Sequence, residues 1–489
     1  MARLLGIDVG TTGVRVAVLD ERGAVLAEAS EPTPPELPSR GRAEADADAW
    51  WAAAIAAMGR VHARVSLEMI DAVGAVGQAP TAILVDAGGR PLRSAILWLD
   101  TRAEAEARGL DAALGPGRAE SIGGNRMHAY YMGPKLAWLR AHDGETLARA
   151  RWVLQSHAYV ALRLTGEVGC DLSTAMLCAP LFDARSGAWS AEGAGAVGIA
   201  LDRLPPILRA HDVLGAVTAE AARTTRLRPG TPVVAGGGDF AASALRAGVT
   251  EVGEACLMLG TAGNLLLPLS EPRFDSRLIN SHHVGVERWL ALGGTLCGAS
   301  LEWFRRTCAQ GATWQDLERE GAAAGVGAGG LIAIPYFQGE RTPIWDERAR
   351  GVFFGLDLSH GRGHLFRAVV EGVALGFRDC LAVAEGRGLH VHEAVAINGA
   401  GKSALLRQTL CDALGVALTW RDAAGGTVSG AAALAGLGVG VLGGPSAVRA
   451  WCAGDPSERR HEPDPRAHAA LNELLVRRRA LYEATRPYL

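Results

Sequence analysis

The sequence predicts an α/β protein with two domains, and three observations lead to this fold class. The chain has 489 residues, a length that exceeds what one compact core accommodates, and 49% of its residues are hydrophobic. Short apolar runs bounded by glycine turns alternate with segments whose apolar residues recur at helical spacing. A glycine–threonine turn between two apolar runs occurs near the N terminus and again near residue 260, which indicates an internal duplication.

The N-terminal segment has the pattern of a β-meander. Apolar runs at 4–8, 14–19 and 24–29 are separated by GTTG at 10–13 and by DERG at 20–23, which are turn sequences. The spacing of Trp50, Met58 and Val65 then predicts a helix over 46–65. The runs and turns that follow predict strands at 72–76, 82–85 and 95–97 and a helix near 102–114.

The second half of the chain repeats this theme. Strands are predicted at 255–259 and 264–268, on either side of GTAG at 260–263, and helices at 365–383 and 464–482. A buried strand predicted over 233–238 ends in three glycines shortly before this half. We therefore place the domain boundary after that strand, which gives domains of residues 1–248 and 249–489.

The charge of the chain argues against nucleic-acid and membrane partners. The net charge is -3, and the 49 Lys and Arg residues and 52 Asp and Glu residues are spread along the chain. The apolar run at 430–444 is too short to span a bilayer, and the N terminus lacks the apolar region of a signal peptide. The eight cysteines are scattered without metal-ligand spacing, which is typical of buried thiols in a reducing compartment. We expect a cytoplasmic protein with a small-molecule partner.

The segment GIDVGTTGVR at 6–15 has the composition of a phosphate-binding hairpin. A strand leads Asp8 into a tight turn, in which Gly10 lets backbone N–H groups approach an anion. The hydroxyls of Thr11 and Thr12 and the guanidinium of Arg15 add donors. Phosphoryl transfer needs such groups, together with a carboxylate that holds the water shell of Mg²⁺. An ordinary polar turn capped by Asp8 is the alternative.

The segment AGGGD at 235–239 places a single carboxylate after a buried strand and a flexible triple glycine. Asp239 in this position can accept a proton from an attacking hydroxyl. Its alternative role is that of the N-cap of a helix beginning near Ala241. The presence of Asp8 and of a second hairpin at Gly260 and Thr261 favours the catalytic interpretation.

The segment AINGAGKS at 396–403 satisfies a permissive Walker A pattern, with alanine at its first position. A P-loop nucleotidase is therefore a competing hypothesis. No later strand that ends on a magnesium-binding aspartate accompanies the segment. We expect instead a glycine turn at a helix N terminus that contacts the adenosine part of ATP.

Stretches along nearly the whole chain resemble the FGGY family of carbohydrate kinases, and within it most closely the xylulokinases. The stretches are GIDVGTT at 6–12, AILW at 95–98 with Asp100 and Arg102, PKLAWL at 134–139, LTGE at 164–167 with Asp171, GGGD at 236–239, LGT at 259–261, GERTP at 339–343 and GVFFGL at 351–356. The last of these, followed by HLFRAVVE at 364–371, matches the C-terminal signature of the family closely.

The resemblance implies two ribonuclease-H-like domains of the actin-like ATPase type, with a ligand cleft between them. Residues 1–248 would then bind sugar and phosphate and residues 249–489 would bind ATP, with Mg²⁺ as the second cofactor. Asp239 falls where the family places its catalytic base, and Asp8 falls where it places the carboxylate near the metal. The implied ATP- and phosphate-binding positions are Gly10, Thr11, Thr12, Arg15, Gly260, Thr261, Gly399, Ala400, Gly401 and Ser403.

The implied sugar site departs from the xylulokinase pattern. Its predicted residues are Gln78, Ala79, Pro80, Trp98, Asp100, Arg102, Asp239 and Phe240. Xylulokinases typically carry Met-His where this chain has Ala79 and Pro80, and a polar residue where it has Phe240. A buried site that loses a polar partner changes the hydroxyl pattern that it rejects.

The resulting hypothesis is an ATP-dependent kinase of a small carbohydrate, with a ketopentose such as xylulose as substrate. Another pentulose, a tetritol or a polyol is the alternative acceptor. A non-catalytic actin-like sensor and a P-loop nucleotidase are the rival functions from other classes. The resemblance leaves a homodimer open.

Overall fold

The computed structural model describes residues 2–422, 426–452 and 458–488. The chain forms two compact units, neither of which is continuous in sequence. Unit 1 comprises Met1–Thr250, Asn280–Leu290 and Ala424–Ala453, and unit 2 comprises Glu251–Ile279, Ala291–Ala423 and Gly454–Leu489.

Most of the first 250 residues form short strands and helices. The strands are β1 (Arg3–Val9), β2 (Gly13–Asp20), β3 (Val25–Pro32), β4 (Glu44–Ala45), β5 (Ala72–Gly77), β6 (Ile83–Val85), β7 (Ala95–Ile96), β8 (Trp152–Leu154), β9 (Cys170–Asp171), β10 (Phe182–Asp183), β11 (Ala188–Trp189), β12 (Ile207–Leu208), β13 (Val213–Ala216), β14 (Pro232–Val234) and β15 (Gly237–Gly238). The helices are α1 (Ala47–His62), α2 (Glu104–Leu114), α3 (Arg118–Gly123), α4 (Met132–His142), α5 (Gly144–Arg149), α6 (Ser156–Thr165), α7 (Leu172–Ala175), α8 (Ala191–Val197), α9 (Ala219–Thr225) and α10 (Asp239–Arg246).

The rest of the chain adds longer helices. Its strands are β16 (Glu254–Leu259), β17 (Ala262–Leu269), β18 (Ile279–His282), β19 (Trp289–Leu296), β20 (Ile332–Ile334), β21 (Val352–Phe354), β22 (Glu393–Ile397), β23 (Ala417–Arg421) and β24 (Arg459–His461). Its helices are α11 (Gly298–Cys308), α12 (Trp314–Ala323), α13 (Arg362–Glu385), α14 (Ala404–Leu414), α15 (Thr427–Gly438), α16 (Pro445–Cys452) and α17 (Pro465–Thr485).

The main sheet of unit 1 is built around β1. This strand pairs antiparallel with β2, and β2 pairs antiparallel with β3, which is the predicted meander. On its other side β1 pairs in parallel with β5, and β5 pairs in parallel with β14 and β15. The carboxyl ends of β1, β5 and β15 therefore meet at one edge of the sheet, which is where α/β folds bind ligands.

Different helices cover the two faces of this sheet. Leu5, Ile7 and Val9 alternate onto the face packed by α1 and α6, as the two-residue period of a strand requires. Gly6 and Gly74 lie under α15, where a Cβ added at Gly6 would be 2.1 Å from the Val428 carbonyl oxygen. The α15 helix is buried from Val428 to Gly436, which agrees with its mostly apolar sequence.

The main sheet of unit 2 repeats this arrangement. β17 and β16 form an antiparallel hairpin, β16 pairs in parallel with β22, and β22 pairs in parallel with β23. A hairpin followed by parallel strands is the same order as β2, β1, β5 and β14 in unit 1. The predicted duplication and the predicted α/β class are confirmed.

The structure departs from the predictions at two places. The strand predicted over 233–238 is interrupted, because Gly236 has a φ of 77° and a Cβ there would lie 1.8 Å from the Ala75 carbonyl oxygen. Much of the apolar run at 430–444 lies in α15, which belongs to unit 1. A single boundary at 248/249 therefore does not account for residues 280–290 and 426–452, which also belong to unit 1. Within the described ranges, no helix is both long and apolar enough to cross a membrane.

Candidate active site

The first hairpin turn holds Asp8 and its neighbours in a fixed geometry. Asp8 lies directly opposite Arg15 in the β1–β2 register, so the two side chains share one face of the sheet. The turn is closed by a hydrogen bond of 3.0 Å from the Gly10 N–H to the Gly13 carbonyl. The Trp98 Nε1–H donates to the Thr11 hydroxyl at 3.0 Å, whereas Thr12 is exposed at the tip. The predicted phosphate-binding residues are thus presented together at the strand ends.

Asp8 is a partly buried carboxylate that is strained electrostatically. Its Oδ1 is buried and has no hydrogen-bond partner among the residues that the structure describes. Burial and, to a smaller extent, the negative charge of Asp239 raise the pKa of Asp8 to about 7, although the positive charge of Arg15 opposes the increase. A cation beside Asp8 would stabilise the ionised carboxylate against both its burial and the repulsion from Asp239.

Asp239 emerges two strands away from Asp8. Val76 of β5 is the register partner of Asp8 on one side and of Gly237 on the other, so both carboxylates follow the carboxyl ends of parallel strands. Asp239 is the first residue of α10 and not its N-cap, which is Gly238, and its Oδ1 accepts the Phe240 N–H at 2.7 Å. Burial raises the pKa of Asp239 to about 6, and the Phe240 N–H and His157 limit the increase.

The Gln78, Ala79 and Pro80 segment follows β5 at the same edge. Gln78 is only 1% exposed, yet neither Nε2 nor Oε1 of its side chain has a hydrogen-bond partner in the described part of the chain. The Tyr130 hydroxyl donates to the Ala79 carbonyl at 3.2 Å, and the bond between Ala79 and Pro80 is cis. An unpaired buried amide is costly unless a ligand completes it.

Asp100 and Arg102 form a hydrogen-bonded ion pair with each other. The Asp100 carboxylate is fully buried and accepts the Ala43 N–H together with the Nε and Nη2 of Arg102, at 2.6 to 3.0 Å. Arg102 also contacts Glu44 at 2.7 Å and lies over the Trp138 ring. Their role in sugar binding stays a prediction, and in this structure the pair ties the segment after β7 to β4.

The predicted ATP-binding residues of unit 2 border one large cavity. It has a volume of about 1340 Å³, and Gly260, Thr261, Gly399, Ala400 and Ser403 line it. Gly401 is not part of the lining, because it packs against Trp420. The sequence did not point to the aromatic walls, which are Trp303, Trp314 and Phe337. The rings of Trp303 and Phe337 are 4.1 Å apart between centroids.

The loop between β22 and α14 bears on the P-loop alternative. Residues Gly399–Lys402 form a 3₁₀ turn, and Ser403 caps α14 by accepting the Leu406 N–H at 3.0 Å. The Ser403 hydroxyl donates to the Glu318 carboxylate, and Lys402 is exposed. The serine that a Walker A motif would offer to Mg²⁺ therefore serves as a helix cap.

Sequence analysis missed two further groups near these strand ends. Tyr130 was not identified, although it bonds to Ala79, and its only signal was its position before the PKLAWL stretch. His157, Ser173 and Ser281 belong to a buried polar network behind Asp239, and of this network only Asp171 was noticed. Serine and histidine in isolated positions give no pattern that a sequence can reveal.

Comparison with known proteins covers both halves of the chain. Residues 3–246 match the N-terminal domain of the FGGY family of carbohydrate kinases, and residues 255–439 match its C-terminal domain. The Walker A-like string lies inside the second match, so a P-loop nucleotidase is not supported.

Individual relatives agree with the family match. The chain is 33% identical to the xylulose kinase of Escherichia coli K12, over 99% of each chain, and 31% identical to that of Bacillus subtilis 168, over 90% of this chain and 89% of the relative. The crystal structure of xylulose kinase from Rhodospirillum rubrum superimposes with a TM-score of 0.91 at 31% identity and covers 99% of each chain.

Proposed function

Because the chain belongs to the FGGY family of carbohydrate kinases, we propose that it transfers the γ-phosphoryl group of Mg·ATP to a hydroxyl of a ketopentose, with xylulose as the first candidate. ATP-dependent phosphorylation of a sugar is the activity that the family assignment gives this chain. A ketopentose as the acceptor sugar is the more specific proposal, and it is supported by relatives named xylulose kinases that match nearly the whole length of the chain.

The observation that carries the catalytic proposal is the pair of carboxylates at the ends of β1 and β15. Asp239 accepts the proton of the sugar hydroxyl as that oxygen attacks the γ-phosphorus and the bond from the γ-phosphorus to the leaving ADP breaks. A general base works best with a pKa near the working pH, and burial brings the pKa of Asp239 to about 6. The hydrogen bond from the Phe240 N–H leaves its second oxygen available for the substrate.

Asp8 fits a magnesium ion that keeps most of its water ligands. Its buried Oδ1 lacks a partner within the described residues, and its raised pKa shows that a positive neighbour would stabilise the ionised form. No group of three or more His, Cys, Asp or Glu side chains suited to a metal occurs in the described ranges. Mg²⁺ is usually held by one or two carboxylates and substrate phosphates, so a site with Asp8 as its protein carboxylate fits this ion. When bound, the ion would neutralise charge on the phosphates.

The cavity of unit 2 is the proposed nucleotide site. Its aromatic walls provide apolar surface for a base, and the turn at Gly260 and Thr261 borders the cavity where we place the phosphates. The Gly298 N–H bonds to the Gly260 carbonyl at 2.9 Å, which fixes the turn against the start of α11. The assignment of sugar to residues 1–248 and of ATP to residues 249–489 remains part of the proposal.

The eight free cysteines support a cytoplasmic, reducing location.

An ADP-release assay tests the substrate. Purified protein and Mg·ATP are incubated with D-xylulose, D-ribulose, aldopentoses, tetritols and polyols, and we expect D-xylulose to give the fastest sugar-dependent release. Faster ADP release with a tetritol or polyol would show that the preferred acceptor is not a ketopentose. We would attribute that preference to Pro80 and Phe240. ADP release that no sugar accelerates would contradict the proposal.

Substitution of the two carboxylates tests their roles. We expect Asp239→Asn to lower kcat by roughly 10²- to 10⁴-fold, because the amide cannot accept the proton. Asp8→Ala is expected to raise the KM for Mg·ATP more than that for sugar. Phosphoryl transfer by Asp239→Asn within a few-fold of the unmodified enzyme would remove Asp239 as the base.

A further inference from the structure

The main chain before Asp239 is held by hydrogen bonds of its backbone and not by side chains of its own. Residues 236–238 are glycines without side chains, and β15 is only two residues long. The N-cap of α10, Gly238, has no side-chain cap. The direction of the Asp239 side chain therefore depends on hydrogen bonds made by the glycine backbone itself.

One such bond comes from a buried serine. The Gly238 N–H donates to the hydroxyl of Ser173 at 3.0 Å, and Ser173 is fully buried at the start of α7. Ser173 also approaches the preceding glycine, since a Cβ added at Gly237 would lie 3.2 Å from its Oγ. A side chain at 237 would therefore crowd Ser173, and it would also lie 2.8 Å from Val284 Cγ1.

The orientation of the Ser173 hydroxyl is fixed by Asp171. The hydroxyl donates to Asp171 Oδ2, which also accepts the Ser173 N–H at 2.7 Å, so a lone pair is left for the Gly238 N–H. The other oxygen, Oδ1, accepts the Thr174 hydroxyl at 2.5 Å and lies 3.3 Å from His157 Nε2. That ring is close enough for an ion pair but is not aligned for a hydrogen bond.

The ionised state of Asp171 supports this direction of the hydrogen bond, from the Ser173 hydroxyl to the carboxylate. Burial alone would raise the pKa of Asp171, but His157 and the hydroxyls of Ser173 and Thr174 outweigh it and lower the pKa. An ionised Asp171 accepts hydrogen bonds only, so the Ser173 proton must point toward it. The Ser281 hydroxyl holds the Ser173 carbonyl at 2.8 Å, which fixes the serine from its main-chain side as well.

We propose that Ser173, oriented by Asp171, is a positioning residue that sets the placement of the catalytic base Asp239 through the Gly238 N–H. The inference rests on the proposed role of Asp239. Because Ser173 is fully buried behind the main chain of Gly238, its loss should affect the catalytic step and leave nucleotide binding intact. A misplacement of about 1 Å in a reacting group can cost on the order of 100-fold in rate.

Steady-state kinetics of matched variants test the proposal, with Mg·ATP and the panel sugar that gives the fastest ADP release. We expect Ser173→Ala to lower kcat by 10- to 100-fold with the KM for Mg·ATP changed less than twofold. Ser173→Thr keeps a hydroxyl and is expected to restore kcat to within threefold. Thr174→Val is the control, because it removes a hydroxyl that also bonds to Asp171 but does not contact Gly238; its kcat should stay within threefold.

The outcomes separate the two proposals. If Asp239→Asn is inactive while Ser173→Ala keeps kcat within threefold, or if Thr174→Val loses as much as Ser173→Ala, the role of Ser173 is overturned and that of Asp239 stands. If Asp239→Asn is active, both are overturned. If Ser173→Ala does not fold, as judged by circular dichroism, Ser173→Cys decides instead. Its sulfur is a weaker acceptor for the Gly238 N–H, so a loss of at least fivefold in kcat supports the proposal and an unchanged kcat overturns it.

Discussion

Asp239 should give the reaction an acid limit. The base accepts a proton only when it is ionised, and burial raises its pKa to about 6. As the pH falls through this value, the ionised fraction declines about tenfold per pH unit, whereas above pH 7 it is nearly constant. We therefore expect kcat/KM for the sugar, at saturating Mg·ATP, to fall with a midpoint near pH 6. A direct measurement of ADP between pH 5 and 8 checks this, and a profile that stays flat down to pH 5 contradicts it.

Phe240 should control which acceptor the enzyme prefers. Its side chain is only 6% exposed and its ring packs against Gly238, next to the base. An apolar side chain there offers no partner to a substrate hydroxyl, and sites that form such bonds discriminate far more strongly than apolar ones.

We expect Phe240→Asn to change the ratio of kcat/KM between two panel sugars by at least tenfold. Phe240→Leu, which stays apolar, is the control and should leave the ratio within about threefold. Equal ratios in all three proteins would show that Phe240 does not contribute to selectivity.

The candidate site was predictable where a residue has a chemical role tied to a pattern. Asp8 and Asp239 stand out because each is a single carboxylate close to a strand end and to glycines, and the structure brings both to one sheet edge. The structural role of Asp100 and Arg102 could not be predicted in the same way, because their further partners Ala43 and Glu44 are distant in sequence. Ser173 was missed because its role arises from contact with the Gly238 backbone.

The packing of α15 on β1 and β5 should be sensitive to added volume. A Cβ added at Gly74 would lie 2.1 Å from the Ala431 carbonyl oxygen, and main chain cannot move aside as a side chain can. We expect Gly74→Ala to lower the free energy of unfolding by roughly 1–3 kcal/mol or more, as overpacking does. Gly109→Ala in exposed α2, where nothing lies within 4 Å, should instead stabilise by about 0.5–1 kcal/mol. Urea denaturation measures both, and equal effects would contradict the packing argument.

Elements with a clear period were predictable, and those defined by distant partners were not. The meander and helices such as α1 and α13 follow from apolar spacing and turn residues, and the structure confirms them. The interruption between β14 and β15 could not be predicted, because the close approach of Gly236 to Ala75 involves residues far apart in sequence. The apolar run that forms α15 was recognised, but a helix that is apolar all round does not reveal which sheet it covers.

At the scale of the whole molecule, the chain leaves unit 1 and returns to it twice. Residues 280–290 contribute Asn280, whose main chain exchanges hydrogen bonds with the Asn125 side chain at 2.8 Å, and His283, whose Nε2 lies 2.8 Å from the Val249 carbonyl. Residues 426–438 contain α15, which covers one face of the main sheet. A fragment that ends at the predicted boundary would lack both segments.

We therefore expect residues 2–250, expressed alone, not to form a stable domain. Without α15, the sheet face around Gly6 and Gly74 would be exposed to water, and the apolar surface that stabilises a sheet of this size would be uncovered on one side. The fragment should show no cooperative thermal transition and should bind a hydrophobic dye, whereas the full chain should melt cooperatively. Addition of a synthetic peptide spanning 426–452 should reduce the dye binding, because it restores the missing cover. A fragment that melts cooperatively near the transition of the full chain would show that α15 is dispensable for unit 1.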